Sequence, residues 1–349
     1  MGRRGGTRPD SGVPRNDRNY SLRGEAARRA TMAFPSTAIP AALPILPDSI
    51  RVVVRGWLNC NQVLLRSPEG HVLVDSGYHA CAEETLALLR DPAVLGGEPL
   101  AALVNTHCHS DHIGGNAAVA RAYGCPITIP SEEIHAIDDW SIQERWNAYV
   151  DQYAEPFAWQ RSLAPGESFR AGGRDWMAHA APGHDMEGLV FFEPGDRVLI
   201  SGDALWESGL GFVWPHEPPN PFVEAALAAL ATIERLSPRV VIPGHGTPFG
   251  DVAAALAAAR ARLAAFADDP RRTARHMMRV MFVFAMLHRG AIAVADADAY
   301  VRRVPVYRDL DARFLGEGTD GLGRRLVEDL ARAGAMRVED GVARPAMAR

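Results

Sequence analysis

The residues able to do chemistry concentrate in one octapeptide, Asn105-Thr106-His107-Cys108-His109-Ser110-Asp111-His112. Four potential metal ligands fall within six residues. They directly follow the apolar run Leu103–Thr106 and precede Gly114-Gly115. Neutral imidazole and carboxylate together suit a borderline divalent ion such as Zn²⁺. A regular strand could not use them all, because alternation would send His107 and Asp111 to one face and His112 to the other. A turn lets them divide between two neighbouring ions. Three further signals lie downstream: His184 in Ala181-Pro182-Gly183-His184-Asp185, Asp203 in Ser201-Gly202-Asp203-Ala204, and His245 in Pro243-Gly244-His245-Gly246. Each closes a candidate strand beside Gly or Pro, the loop context in which α/β architectures build sites. Any one of these side chains could equally cap a helix or satisfy a core hydrogen bond; seven in matching contexts point to a shared centre. The other His residues (71, 79, 135, 179, 216, 276 and 288) are read as ordinary structural or surface groups.

The elements that must position this chemistry begin near Ile50. Arg51–Val54, Val63–Arg66 and Val72–Asp75 read as strands, the last two a hairpin across Pro68-Glu69-Gly70. Helices are expected over 80–89 and 115–123, strands over 103–106 and 127–129, and helix again over the aromatic-rich stretch 132–160. Strands return at 175–180, after the Gly172-Gly173 turn, and at 189–192, 198–201 and 240–242. Helices are expected at 222–236 and 252–267. Strands interleaved with helices over about 220 residues predict an α/β domain with covered sheets. Beyond Asp268-Asp269-Pro270 the strand signal fades. Helices are expected at 271–288 and 321–333, then a small hairpin (336–339, 342–344) across Asp340-Gly341.

The chain has 349 residues, 47% hydrophobic and 23% charged, which excludes whole-chain disorder and fibrous repeats. No apolar run is long enough to span a bilayer, so no membrane partner is expected. Net charge is −5, unlike a nucleic-acid binder as a whole. All 37 cationic side chains are Arg, a compositional bias without mechanistic content. Four Cys do not make a disulfide framework, and a reduced, cytoplasmic setting is expected. Residues 1–31 carry eight Arg against three acids and no signal-peptide core; with the Pro-rich 33–47 they read as a disordered or extended arm, Met32 being an alternative start.

Taken in order, His-x-His-x-Asp-His, Gly-His, Gly-Asp and Gly-His resemble the signature of the metallo-β-lactamase-fold hydrolases, over about residues 50–250. The resemblance implies a four-layer αβ/βα sandwich over 48–268. It implies a first metal held by His107, His109 and His184, a second held by Asp111, His112 and His245, and Asp203 bridging them. Two divalent ions, Zn²⁺ in preference to Fe or Mn, would lower the pKa of bound water towards ~7 and create a nucleophile at neutral pH. Asp111 would shuttle a proton to the leaving group. Asp75 matches the early Asp of the family and is expected to orient a ligand by hydrogen bonding. The bridging Asp203 is similar to glyoxalase II-like and lactonase-like branches, which implies metal-bound hydroxide attack on a small ester, thioester or lactone. Cys108 and Cys60 are expected as packed thiols.

Pocket candidates follow from position. Residues 140–159 hold Trp140, Trp146, Tyr149, Tyr153, Phe157 and Trp159, a lid over an apolar or acyl substrate or else a helix burying aromatics. Trp206, Phe212 and Trp214 follow Asp203 closely, and Trp57 approaches from the other side. No Arg cluster is evident there, which disfavours a highly anionic substrate. Residues 269–349 read as a small, mainly helical, winged-helix-like domain; 271–349 carries fifteen Arg against ten acids. It would contact nucleic acid, pack on the catalytic domain, close the pocket or form a homodimer. Competing readings are a nuclease or phosphodiesterase acting on single-stranded nucleic acid, a mononuclear iron sulfur dioxygenase, and a DNA-binding regulator that keeps a metal sensor site.

Overall fold

The computed structural model describes residues 44–55 and 58–346. Trp57 and residues 1–43, most of the expected arm, lie outside them. A six-stranded sheet is ordered β1 (Ile50–Val53), β2 (Gln62–Leu65), β3 (His71–Val74), β4 (Leu100–Val104), β5 (Ile127–Pro130), β6 (Arg161–Leu163). Its first three strands are antiparallel and the rest parallel. A five-stranded sheet comprises β7 (Ser168–Ala171), β8 (Arg174–Ala180), β9 (Leu189–Glu193), β10 (Val198–Gly202) and β11 (Val240–Pro243), the last two paired in parallel.

Alternation explains the stacking. Val63, Leu65, Val72 and Val74 point to a buried layer shared with Trp176, Phe191, Val198, Ile200 and Ile242 of the second sheet. The intervening Leu64 and Leu73 point the other way, against α1 (Ala82–Arg90) and the helix Asn116–Tyr123. On the second sheet, Val190, Leu199 and Val241 face the helices Pro221–Leu236 and Val252–Asp268. Strands apolar on both faces therefore yield helix, sheet, sheet, helix: the four-layer αβ/βα sandwich expected from the sequence.

Helices in chain order are α1, α2 (Ser110–Ile113), α3 (Asn116–Tyr123), α4 (Ile134–Asp138), α5 (Trp140–Val150), α6 (Pro221–Leu236), α7 (Val252–Asp268), α8 (Pro270–Arg289), α9 (Ala297–Arg303), α10 (Pro305–Leu310) and α11 (Leu322–Arg332). The expected strand 103–106 ends at Val104, leaving Asn105 and Thr106 to start the ligand loop. The expected helical stretch 132–160 stops at Val150. Asp151 closes α5 in the left-handed conformation (φ 58°), and the chain runs without regular structure to β6.

The start of α8 was legible: Asp269 Oδ1 accepts from the Arg271 and Arg272 amides at 2.9 and 3.2 Å, and Pro270 occupies the first turn. The strand signal does not vanish after it. Ile292–Ala293 forms β12, which joins β13 (Met336–Glu339) and β14 (Val342–Pro345) in a sheet ordered β12-β14-β13. This segment does not stand apart. Its core of α8, α9, α10 and α11 includes Leu58, Tyr78 and Val150, and Arg289 reaches the Asp151 carboxylate with two bonds of 2.6 Å.

Gly323 marks the tightest approach within this core. A Cβ there would lie 2.1 Å from the Ala297 carbonyl oxygen and 2.2 Å from its carbon, where α11 meets α9. Because backbone must move, Gly323→Ala is expected to cost roughly 1–3 kcal/mol. Denaturant unfolding checks this; an unchanged midpoint would mean the helices slide apart freely. Among the described residues no helix is long and apolar enough to cross a membrane.

Candidate metal centre

Five strand ends meet at one edge of the sandwich. Asp75 follows β3, His107 to His112 follow β4, His184 follows β8, Asp203 follows β10 and His245 follows β11. Backbone bonds tie these loops together: the Asp75 amide donates to Val104 O at 3.0 Å and the Gly244 amide to Gly202 O at 2.7 Å. Gly244 has to be glycine, since a Cβ would lie 2.4 Å from Asp203 Oδ1 and 2.9 Å from His112 Cε1.

The seven expected ligands come together in two groups. His107, His109 and His184 form one; Asp111, His112, Asp203 and His245 form the other. Within each, one ligand atom per residue lies within 4.8 Å of the rest. All are buried except His109, which is partly exposed. Asp203 stands between the groups. Its Oδ2 is 3.3 Å from His184 Nε2, whereas its Oδ1 is 3.4 Å from His112 Nε2 and 3.6 Å from His245 Nε2. Asp111 Oδ2 lies 3.1 Å from His245 Nε2.

The rings are aimed by their other nitrogens. His112 Nδ1 is 2.8 Å from Asp75 Oδ2, His184 Nδ1 is 2.8 Å from Phe212 O, and His107 Nδ1 is 3.1 Å from Thr106 Oγ1. Nε2 of each therefore faces the centre. For His107 and His112 that nitrogen is buried and, among the described residues, has no hydrogen-bond partner, a costly arrangement unless a cation takes the place at the centre. This donor set fits a pair of divalent ions.

Electrostatics agree. Burial, reinforced by His112 and His109, holds His107 well below the usual imidazole range. Burial likewise takes His184 down to about 4, with Asp203 opposing. Both present neutral lone pairs at pH 7. Burial opposes ionisation of Asp203, but the His245, His112 and His184 imidazoles more than reverse it and hold the carboxylate well below its usual range. At His112 burial opposes the charged form, but Cys60, Asp75, Asp203 and Asp111 raise it well above the usual range. A field that attracts a proton so strongly attracts a metal cation for the same reason.

Asp75 adopts a left-handed backbone (φ 58°). Besides facing His112 it accepts from the Thr106 amide at 2.9 Å and the Thr106 hydroxyl at 2.8 Å. Other supports were invisible in the sequence. Asn61 crosses from the β1–β2 connection to donate to Pro243 O at 2.9 Å and Gly246 O at 2.7 Å, gripping the His245 loop. Ser76 and Asn105 meet Asn116 at 2.7 Å each beneath α2. Buried Glu133 accepts from the Cys108 amide at 3.0 Å. Only the Asp-Ser-Gly run 75–77 beside a strand end hinted at one of them, Ser76. Cys108 packs among Leu103, Ile113 and Ile127, and Cys60 is fully buried beside Gln62.

A cavity of about 160 Å³ opens on this centre. Trp146, Trp206 and Phe212, all expected there, line it beside His109, Asp111, His184 and Asp203. Trp146 and Phe212 both stack near-parallel to His109, with centroids 6.1 and 5.8 Å away, and Trp206 Nε1 donates to Asp203 Oδ1 at 3.2 Å. Of the aromatic stretch, Trp146 of α5 reaches the cavity, and Asp151 at the end of α5 is tied to Arg289 of α8. Pocket closure by the C-terminal segment was one of the expected alternatives, but the particular side chains that also line the cavity were not anticipated: Arg262 of α7 and His276, Val280, Met281 and Phe284 of α8. Their helices were legible, but nothing in their spacing says which face meets the site.

A sandwich carrying paired His and Asp clusters at one edge of its strands defines a metallohydrolase scaffold. The chain belongs to the metallo-beta-lactamase superfamily, whose family model matches residues 55–245, as the sequence resemblance implied. Members of the superfamily generally bind two divalent metals. The chain is 32% identical over 185 residues to a hydroxyacylglutathione hydrolase of Xanthomonas campestris pv. campestris, covering 53% of this chain and 60% of that protein. It is 27% identical over 143 residues to a hydroxyacylglutathione hydrolase of Bdellovibrio bacteriovorus, covering 41% and 47%. Its match thus spans about half the length of these curated relatives. A beta-lactamase domain protein from Burkholderia ambifaria shares the fold at 24% identity and a TM-score of 0.50, covering 89% of this chain and 97% of that one.

Proposed function

We propose that this protein hydrolyses a thioester or ester, with lactones as the nearest further substrates, at a centre of two divalent ions, Zn²⁺ in preference to Fe or Mn. His107, His109 and His184 would hold one ion, Asp111, His112 and His245 the other, and Asp203 both. Bound there, the ions supply an activated water and a Lewis acid for the acyl oxygen. The observation that carries the reading is Asp203, whose two oxygens face the two histidine groups separately.

This chain's own residues do the rest. Asp75, Thr106 and the Phe212 carbonyl fix the rings. Asp111 Oδ2 lies at the centre, where it can carry a proton to the leaving group. Trp146, Phe212 and the α8 side chains exclude water from the acyl group. The mainly apolar lining favours an acyl substrate over a phosphodiester strand. The two curated relatives are named as thioester hydrolases, which supports the same choice. We further propose that 270–346 serves as a pocket wall, and that nucleic acid is not its partner.

The test is metal quantification on purified protein together with turnover of thioester, lactone and bis(4-nitrophenyl) phosphate substrates. About two metal equivalents with thioester or ester cleavage are expected. Turnover confined to the phosphodiester, weakening steeply with salt, would replace this reading with a nuclease.

A further inference from the structure

Besides Gln152, which is bonded to Ser110 Oγ, the cavity is lined by Arg262 and His276, two polar groups that the metal centre does not use. Arg262 is half-buried on α7. Its Nη2 donates to Ser208 O at 2.9 Å and its Nη1 to Leu210 O at 3.4 Å. Among the described residues no carboxylate offsets its charge; burial alone acts on it, lowering its pKa. His276 follows on α8. Burial, then the charges of Arg262, Arg279 and Arg272, hold its ring down at about 4, so it is neutral at pH 7. It makes no hydrogen bond to the protein among the described residues, and its packing partner is Phe266, 5.2 Å away between ring centroids. Leu210, Met281 and Phe284 complete the wall around them.

A cation without a counter-ion and an imidazole without a partner, lining one mainly apolar chamber and close enough for the Arg262 charge to act on the ring, are what a ligand anion would complete. We propose that Arg262 and His276 form a carboxylate-receiving subsite, and that the substrate is a thioester or ester of a dicarboxylic acid with a hydrocarbon spacer. The spacer lies against Leu210, Met281 and Phe284, and the free carboxylate accepts from the guanidinium and the imidazole N–H. The proposal rests on the hydrolase reading. Water adds across the acyl–sulfur bond: the acyl carbon gains oxygen, the C–S bond breaks, and the thiol leaves with the proton. No oxidant or reductant is required. A glutathione thioester places a polar peptide where this wall offers hydrocarbon, and it serves as a contrasting arm of the test.

The experiment uses the metal-loaded full chain and two readouts. The first compares kcat/KM for adipyl and hexanoyl thioesters of N-acetylcysteamine and for S-lactoylglutathione. The second measures binding of two uncleavable amides, N-butyl adipamic acid and N-butyl hexanamide, by quenching of tryptophan fluorescence. The carboxylated member of each pair is expected to win by about tenfold or more, the gain of a charge-assisted hydrogen bond. Arg262→Met should erase that preference, and Arg262→Lys, which keeps the charge, should restore part of it. Hexanoyl preferred or equal to adipyl, and hexanamide bound as tightly as the acid amide, would overturn the subsite while leaving the hydrolase reading standing. Preferential binding of the acid amide with no thioester cleaved would do the reverse. Lactoylglutathione as the best substrate would also overturn the proposal.

Discussion

Replacing Asp203 by Ala is expected to reduce turnover of the best thioester by a thousandfold or more, on the order of 4 kcal/mol in the barrier at 1.36 kcal/mol per decade. Among the described residues no other side chain offers one oxygen to His184 and the other to His112 and His245. Without it the two histidine groups lose their shared anion, and two cations held close together repel with nothing between them. Metal content should fall with activity, towards one equivalent. The fold should persist, because Asp203 closes β10 rather than packing the core, and far-UV circular dichroism would verify that. A variant within tenfold of wild-type turnover would remove Asp203 from the mechanism and the bridging geometry with it.

Stripping the metal should lower the thermal midpoint by roughly 10 °C. A ligand at about a thousand times its Kd stabilises the native state by ~4 kcal/mol, and a domain of this size shifts by about 2–4 °C per kcal/mol. The apo-protein keeps a buried lone pair on His107 Nε2 that nothing among the described residues satisfies. It also keeps the carboxylates of Asp111 and Asp203 in a buried space. The sign with pH follows from the same atoms. Imidazole binds metal only when neutral, so protons compete with the ion and the apparent affinity falls as pH drops. The measurement is a pair of melting curves with and without a chelator, at neutral and mildly acid pH, with residual metal quantified. Superimposable curves from fully stripped protein would show that the clusters are held by the fold alone.

Local chemistry made the centre legible. A His-x-His-x-Asp-His run cannot be regular strand, and Gly or Pro beside His184, Asp203 and His245 announced strand ends. Apolar runs such as Val198–Ile200 and Val240–Ile242 announced buried parallel strands. What stayed hidden depends on long-range placement. Asn61 has no local feature distinguishing it from any loop Asn, yet it grips a loop more than 180 residues away. His276 was read as an ordinary structural or surface group because a lone His in an apolar helical stretch has no ligand spacing around it, but packing turned that residue towards the cavity. The stretch after Val150 misled for a different reason. Aromatic side chains suit helix and extended chain alike, and the left-handed Asp151 that ends α5 carries no helix-breaking identity of its own.

The α8 wall has an evolutionary consequence. Every ligand to the proposed centre lies before residue 250, whereas Arg262, His276, Val280, Met281 and Phe284 of the cavity lining are encoded after it. Breadth and preference for substrate can therefore drift by exchange of a terminal cassette, with the hydrolytic machinery inherited unchanged. Chimeras joined at Asp269, the cap where the cassette begins, should inherit reaction type from one parent and selectivity from the other.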